Sequence, residues 1–345
     1  MVGATVRHLN LRSTGVARET VGGSLTGERV RAGVVVEVAG LEVELDAADD
    51  ARAEAVASLL RHARIRSGPA DCRIVFGVEA PEVPDRAPDV MAEGQRRWDA
   101  DGTAWFALDG GPAARVDASD LVVGGGGPGL ATWFRNLCFQ GLGHLFAARG
   151  RLLLHGAALL ADDGAVLVLG DSGAGKSTLA LAAARAGWGV LGDDAVVVGR
   201  ASAAAGLEAV GVPRPPAFPH DVLPEGGLED GHEVPDDPRR RVEAPAGSLT
   251  GGAHPIRELV VARGADPRGP GVDPLTGREA LDAVLRAATA FADPSARPLA
   301  FGFAGELARL PRCALRRGSD PTRAVAEIGA LLDVLPGRAT WSGTA

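Results

Sequence analysis

With 345 residues the chain can hold two domains or one large domain with an appendage, and at 46% hydrophobic residues it has ample material for a core. A formal net charge of −8 speaks against a nucleic-acid binder that relies on a broad basic surface. The amino terminus lacks the apolar core of a signal peptide, no uninterrupted apolar run reaches the roughly 18 residues of a membrane span, and Cys72, Cys138 and Cys313 show no metal or disulfide spacing. The expectation is a cytoplasmic protein without nucleic-acid or membrane partners.

In chain order, residues 34–38 and 41–45 alternate apolar and polar side chains around Ala39-Gly40, which predicts two paired strands. Residues 46–64 predict an amphipathic helix with acids in its first turn, and residues 72–78 an apolar strand. Asp101-Gly102, between Arg97-Trp98 and Trp105-Phe106, predicts a hairpin. These elements make residues 1–122 an α+β accessory unit without a chemical motif, suited by position to recognition of a substrate or partner. The run Gly124-Gly125-Gly126-Gly127-Pro128-Gly129 contains G-x-G-x-x-G before a helical stretch at 130–148. A dinucleotide fold wants an acid about 20 positions on, where Arg149-Gly150-Arg151 stands instead. Residues 123–150 are therefore read as linker and helix.

The third unit, residues 151–345, carries the chemistry. Residues 151–160 form an apolar run, and Asp163-Gly164 marks a hairpin into a buried strand at 165–169, which would return His155 toward the segment that follows. That segment, Gly170, Asp171, Ser172, Gly173, Ala174, Gly175, Lys176, Ser177 and Thr178, matches the G-x-x-x-x-G-K-[ST] phosphate loop (Walker A) without a mismatch. Glycines let the backbone curl around phosphate oxygens, Lys176 adds a mobile positive charge, and Ser177 offers a hydroxyl to the Mg²⁺ that accompanies a nucleotide. An Ala/Leu-rich helix over 177–186, ending at Gly187, directs its positive dipole end at the same anion.

Residues 188–198 then predict a short strand carrying the adjacent acids Asp193 and Asp194. Phosphoryl transfer to a hydroxyl needs a Mg²⁺ ligand and a proton acceptor near the γ-phosphate, and the pair can divide those tasks. Because side chains alternate along an extended segment, only one of the two would face the nucleotide directly. The pattern does not say which.

Leu-His-Gly before a hairpin, Gly-Asp-Ser-Gly-Ala-Gly-Lys-Ser-Thr-Leu-Ala-Leu, and then Ala-Gly-Trp-Gly-Val-Leu-Gly-Asp-Asp resemble the catalytic domain of HPr kinase/phosphorylase and its kinase relatives, including those that phosphorylate ribosomal peptides such as lasso-peptide precursors. The loop and acidic pair also resemble the nucleotide site of phosphoenolpyruvate carboxykinase. The close match covers residues 151–200. The resemblance implies an α/β fold with a phosphate-loop mixed sheet, and ATP and Mg²⁺ as cofactors. It implies that His155 lies by the phosphates, that Lys176 contacts them, that Ser177 helps to hold the metal, and that Asp193 and Asp194 supply a base and a metal contact. No Glu-x-Arg-Gly-x-Gly signature follows the acidic pair within 201–252, which sets the chain apart from the bifunctional enzymes.

From 201 to 255 periodicity fades into Pro, Gly and charge. In a kinase this is where a substrate flap would lie, and Arg214, Arg239, Arg240 and Arg241 are candidates to clamp phosphates or an acidic substrate in bidentate fashion. The remainder predicts scaffold: a strand at 256–262, a helix at 278–291, strands around 307–315, and a helix from Pro321 capped by Asp320. The leading expectation is a phosphotransferase acting on a hydroxyl, most simply the serine of a peptide or small protein. A small-molecule acceptor and a non-catalytic nucleotide-binding regulatory module are the alternatives, and a homo-oligomer is compatible with each.

Overall fold

The computed structural model describes residues 24–92, 94–126, 130–161, 164–201, 206–212, 217–219, 232–233, 241–243, 249–288, 296–320 and 323–332. A short helix, α1 (Gly27–Arg31), precedes β1 (Val34–Val38), β2 (Leu41–Ala47), α2 (Asp50–Leu59), β3 (Arg64–Arg66) and β4 (Cys72–Gly77). Next come β5 (Val90–Ala92), β6 (Gln95–Ala100), β7 (Thr103–Leu108), β8 (Ala113–Val116) and β9 (Asp120–Gly124). The nine strands form one sheet in the order β3-β1-β2-β4-β9-β8-β7-β6-β5. Both expected hairpins form. Ala39 and Gly40 turn at φ 49° and 78°, Asp101 and Gly102 at φ 50° and 78°, the positive values that match the twist of the strands they join.

The helix expected over 46–64 is shorter. Asp46 and Ala47 extend β2, which pairs in parallel with β4, and the helix starts where the Asp49 side chain accepts from the Arg52 amide at 2.9 Å. Buried Arg52 then reaches across the strand ends, donating to the carbonyls of Gly77 at 2.8 Å and Gly125 at 2.6 Å, and it pairs with Asp49. The hairpin of β8 and β9 has no glycine to announce it; Asp117 closes the turn by accepting from the amides of Ser119 and Asp120.

The helix α3 (Leu130–Ala147) buries Leu137, Leu142, Leu145 and Phe146 in a core that runs from the first sheet into Leu153, Val197 and Val210 of the second. Arg149 donates to the Ala118 carbonyl and Arg151 to that of Ala39, so the two halves are also tied through backbone acceptors.

The second sheet contains β10 (Leu152–Leu154), β11 (Ala157–Ala161), β12 (Gly164–Leu169), β13 (Gly189–Gly192), β14 (Val196–Arg200) and β15 (Leu207–Gly211). Three short strands, β16 (Ala217–Pro219), β17 (His232–Glu233) and β18 (Arg241–Glu243), make a small separate sheet. The chain returns to the large sheet through β19 (Ala253–Ala265), β20 (Gly271–Pro274) and β21 (Arg312–Arg317). Its main path is β10-β14-β15-β19-β12-β11-β13, with β21 beside β19 and β20 beside β21. Strands β12, β19 and β21 are mutually parallel, and β11 runs antiparallel to β12 as the hairpin signal predicts.

Alternation along those strands feeds two layers. One face packs α5 (Gly277–Ala287) and α6 (Arg297–Leu307) on Leu259, Val261 and Ala314; the other packs α4 (Lys176–Arg185) and α7 (Ala324–Gly329) near Val260, Cys313 and Leu315. The fold is thus mixed α/β with two mixed sheets.

Three expectations on the carboxyl side are corrected. Of the stretch around 307–315 expected as strands, only residues from 312 are strand, in Arg312–Arg317, and Leu307 ends a helix over 297–307 in which Ala300, Phe303, Ala304 and Leu307 keep a helical apolar spacing despite Gly302 and Gly305. The last helix begins at Ala324 with Arg323 in the cap position, not Asp320, while Pro321 lies outside the described residues. The helix expected over 278–291 is seen from Gly277, where Thr276 and Glu279 form a capping box, to Ala287, and residues 289–291 lie outside the described residues.

Arg52 generates a stability prediction. Arg52→Ala leaves buried carbonyls without their donor and is expected to cost about 2–4 kcal/mol in urea unfolding; a loss under about 0.5 kcal/mol would show that the guanidinium is dispensable.

Candidate functional site

Three parallel strands end together, and the phosphate-loop segment rises from the first of them. Gly170 sits at φ 145°, and a Cβ there would lie 2.4 Å from the Ala262 carbonyl oxygen, so the loop leaves β12 pressed against β19. Gly175, at φ 103°, occupies the N-cap of α4 and provides no side-chain cap to the first helical amides. Those amides retain hydrogen-bonding capacity for an anion. Lys176 is only 7% exposed, and its Nζ donates back to the carbonyls of Gly170 at 2.9 Å and Asp171 at 3.1 Å. The ammonium therefore spans the loop. Ser177 and Thr178 lie in the first turn of α4, as the motif requires.

The acidic pair is not on a continuous strand. Residues 188–198 divide into β13 and β14, which belong to opposite regions of the sheet, and the chain turns between them at Asp193 and Asp194, the latter at φ 76°. Close backbone packing forces the break: a Cβ on Gly211 would fall 1.5 Å from the Leu191 carbonyl oxygen, so β15 crowds the end of β13. A turn, not strand alternation, then separates the carboxylates. Asp193 is turned inward at 3% exposure, whereas the Asp194 side chain retains 33%.

Residues 151–160 are interrupted in the same way. The run divides into β10 and β11 at His155-Gly156, where a Cβ on Gly156 would meet the Val168 carbonyl oxygen at 2.8 Å. The break frees the imidazole from the sheet face. His155 Nδ1 lies 3.0 Å from the Asp194 carbonyl oxygen and 3.3 Å from its Oδ1. Both are acceptors, so Nδ1 carries the proton in the neutral ring and Nε2 presents a lone pair. Burial lowers the His155 pKa from its ordinary value; Asp194 raises it, and the positive charges of Lys176 and Arg135 lower it further.

Contacts around His155 join the elements into one site. Its amide donates to the Ala287 carbonyl at 2.7 Å, and the adjacent Arg286 approaches Asp171 at 3.7 Å while pairing with Asp282. The end of α5 thus touches both the histidine and the loop. Between the loop, β19 and α5 a cleft of about 510 Å³ is bounded by the 170–174 segment, Arg263, Leu275, Glu279 and Asp282.

His155, Lys176 and Asp194 therefore come together, with Asp193 beneath them. Of the other expected anion contacts, Arg214, Arg239 and Arg240 lie outside the described residues, and Arg241 opens β18 opposite Pro219. Arg135 and Arg286 belong to the site without having been singled out by the sequence. Arg135 had one available signal, as the sole lysine or arginine within α3, whose other residues are mostly apolar. Arg286 had none, since helical arginines beside Asp282 read as ordinary surface pairs.

Among the described residues no group of three or more His, Cys, Asp or Glu side chains could hold a metal. Mg²⁺ does not need such a cage, because it takes one or two carboxylates, water and phosphate oxygens. Ser177, Asp193 and Asp194 are hard oxygen donors of that kind, and the uncapped helix end with its buried ammonium suits a phosphate chain. Among the described residues, no helix is long and apolar enough to cross a membrane, and the three cysteines are buried and unbridged.

No protein-family model matches the sequence, and no curated protein matches it. Among solved structures it is similar to the Hpr(Ser) kinase/phosphatase from Coxiella burnetii, at 14% identity and a TM-score of 0.25, over 51% of this chain and 93% of that one. A likeness that distant leaves the site's own residues to carry any functional conclusion.

The histidine supplies a pH test. Its folded pKa lies below its unfolded one, so as pH falls the unfolded chain binds the proton first, and stability present above the unfolded pKa is lost as pH falls through the folded value. His155→Gln should flatten the decline in urea-derived stability as pH falls below the ordinary value of 6.5, and the wild-type imidazole should titrate by NMR below that value. A midpoint above 6.5 would contradict this environment.

Proposed function

We propose that the protein is an ATP- and Mg²⁺-dependent kinase that transfers a phosphoryl group to a hydroxyl, the acceptor being the serine of a peptide or small protein. One observation carries the reading: three sequence motifs separated along the chain meet at one end of the sheet, with His155 on Asp194 and Lys176 across the phosphate loop. A regulatory module that only binds nucleotide has no use for an oriented carboxylate at that place.

In this reading the loop amides, Lys176 and Ser177 hold the triphosphate and its metal. When bound, ATP supplies the phosphoryl group and Mg²⁺ neutralises charge on its oxygens. Asp194 is the group that meets the acceptor, because it combines exposure with a neighbour that fixes its direction. Its carboxylate takes the proton of the acceptor hydroxyl, and His155 keeps it aimed through the Nδ1 contact. Asp193, shut away from solvent, serves as the metal-side carboxylate. Lys176 gives up its carbonyl partners for phosphate oxygens, a stronger charge-assisted contact. The half-exposed imidazole and carboxylate leave an approach from solvent, as a large acceptor requires.

Asp194→Asn should abolish phosphorylation of a serine-containing acceptor, by at least ~100-fold, while nucleotide affinity stays within a few-fold. Lys176→Ala should instead weaken nucleotide binding ~10- to 100-fold. Labelled ATP with mass spectrometry of the acceptor and isothermal titration measure the two effects. Full turnover by Asp194→Asn removes the base assignment, and a label found only on metabolites transfers the reading to a small-molecule kinase.

A further inference from the structure

Beside the phosphate loop stands a cation that the proposed chemistry has not used. Arg317 is the last residue of β21, in register with Ala265 of β19, and its carbonyl accepts from the Asp266 amide at 3.0 Å. Its backbone is therefore held at the carboxyl end of the parallel strands, where open α/β sheets bind ligands. The side chain lies along the loop: a Cβ built on Gly175 would sit 3.3 Å from Arg317 Cδ and 3.7 Å from Nε. Gly175 is both the N-cap of α4 and the neighbour of Lys176.

The partners of this guanidinium are unusual for its surroundings. Adjacent Arg316 is neutralised by Asp273 at 2.7 Å and donates to the Gly269 carbonyl. Arg317 is half-buried and donates only a long contact of 3.4 Å to the Gly318 carbonyl; among the described residues no carboxylate lies within ion-pair distance of it. Glu327, which lies against Gly318, is engaged by Arg323 at 3.8 Å. A cation at the positive end of a helix, next to a buried lysine, is electrostatically disfavoured. Such a cluster is stabilised when an anion arrives.

We infer that Arg317 is a phosphate-contacting residue: its guanidinium takes the oxygens of the polyphosphate seated in the loop, opposite Lys176, as a second cation delivered from β21. Guanidinium groups match phosphate in bidentate geometry, which an ammonium does not. The inference rests on the kinase reading for the presence of a nucleotide, and it adds a residue that neither loop nor acidic pair contains. It also gives Gly175 a second duty, since any side chain there would displace the arginine stem as well as strain the loop.

The test uses the full chain and its Arg317→Gln and Arg317→Lys variants, titrated with Mg·ATP and with Mg·tripolyphosphate, alongside thermal unfolding without ligand. Arg317→Gln should weaken both ligands by at least ~10-fold, with an unchanged or higher melting temperature of the free protein. Arg317→Lys should regain part of the affinity. Wild-type affinity in Arg317→Gln overturns the inference, as does a loss confined to ATP, which would place the arginine on base or ribose. A lower melting temperature or failure to fold overturns it too, by showing that the charge is already satisfied without phosphate. If the unaltered protein binds neither ligand, the nucleotide reading itself fails. If it binds both, and Lys176→Ala weakens them while Arg317→Gln does not, only the role of Arg317 is lost.

Discussion

The candidate site depends on one close approach of two backbones. At Gly211 the chain of β15 comes so near the Leu191 carbonyl that no side chain fits, and β13 cannot continue straight into β14. The residues after Leu191 must turn, and Asp194 accepts a positive φ in doing so. Aspartate tolerates that conformation better than most residues, so the residue that closes the turn also presents a carboxylate to His155. The consequence is a split of environments: one carboxylate is enclosed and the other meets His155. A regular strand would have sent them to opposite faces of the sheet, with only one available to the loop.

Charge at the site is mixed, with the cations on the side of the loop. The protein is acidic overall, yet Lys176, the stem of Arg317 beside Gly175, Arg286 beside Asp171 and the amino end of α4 lie along the segment between β12 and α4, and Arg135 acts on His155. Local fields, not net charge, decide what a crevice attracts. Lys176 donates to loop carbonyls, and Arg286 pairs with Asp171 and Asp282. These contacts are exchangeable, because none of those acceptors depends on them for burial in a closed core. Burial first, and then the positive charges of Lys176 and Arg135, hold His155 toward its neutral form, and a neutral ring can orient Asp194 without competing with it as a charge.

Much of the fold is legible in the sequence. The hairpins at Ala39-Gly40 and Asp101-Gly102 follow from local turn chemistry, and so does the pairing of β11 with β12 across the Asp163-Gly164 signal. The phosphate-loop pattern is recognisable without tertiary information, since its glycines, lysine and serine are contiguous. Helix ends were read less well. Asp46 looked like a first-turn acid because its spacing fits a helix, but pairing with β4 claimed it for a strand; α6 was hidden by two glycines that packing of Phe303 and Leu307 overrides.

Contiguous motifs were thus determined by the sequence alone: a turn that curls, a helix that starts on a glycine, two adjacent acids, and a histidine placed before a hairpin. Their local geometry depends on residues a few positions apart, which a linear pattern records. What only the tertiary structure decided is which carboxylate faces His155, that β13 and β14 part company, that arginines from α5 and β21 reach the loop, and that Arg135 of α3 acts on His155. Those outcomes depend on backbones separated by tens to more than a hundred residues, whose approach is set by side-chain volume and by the absence of a Cβ at Gly211. No periodicity in one chain encodes that distance.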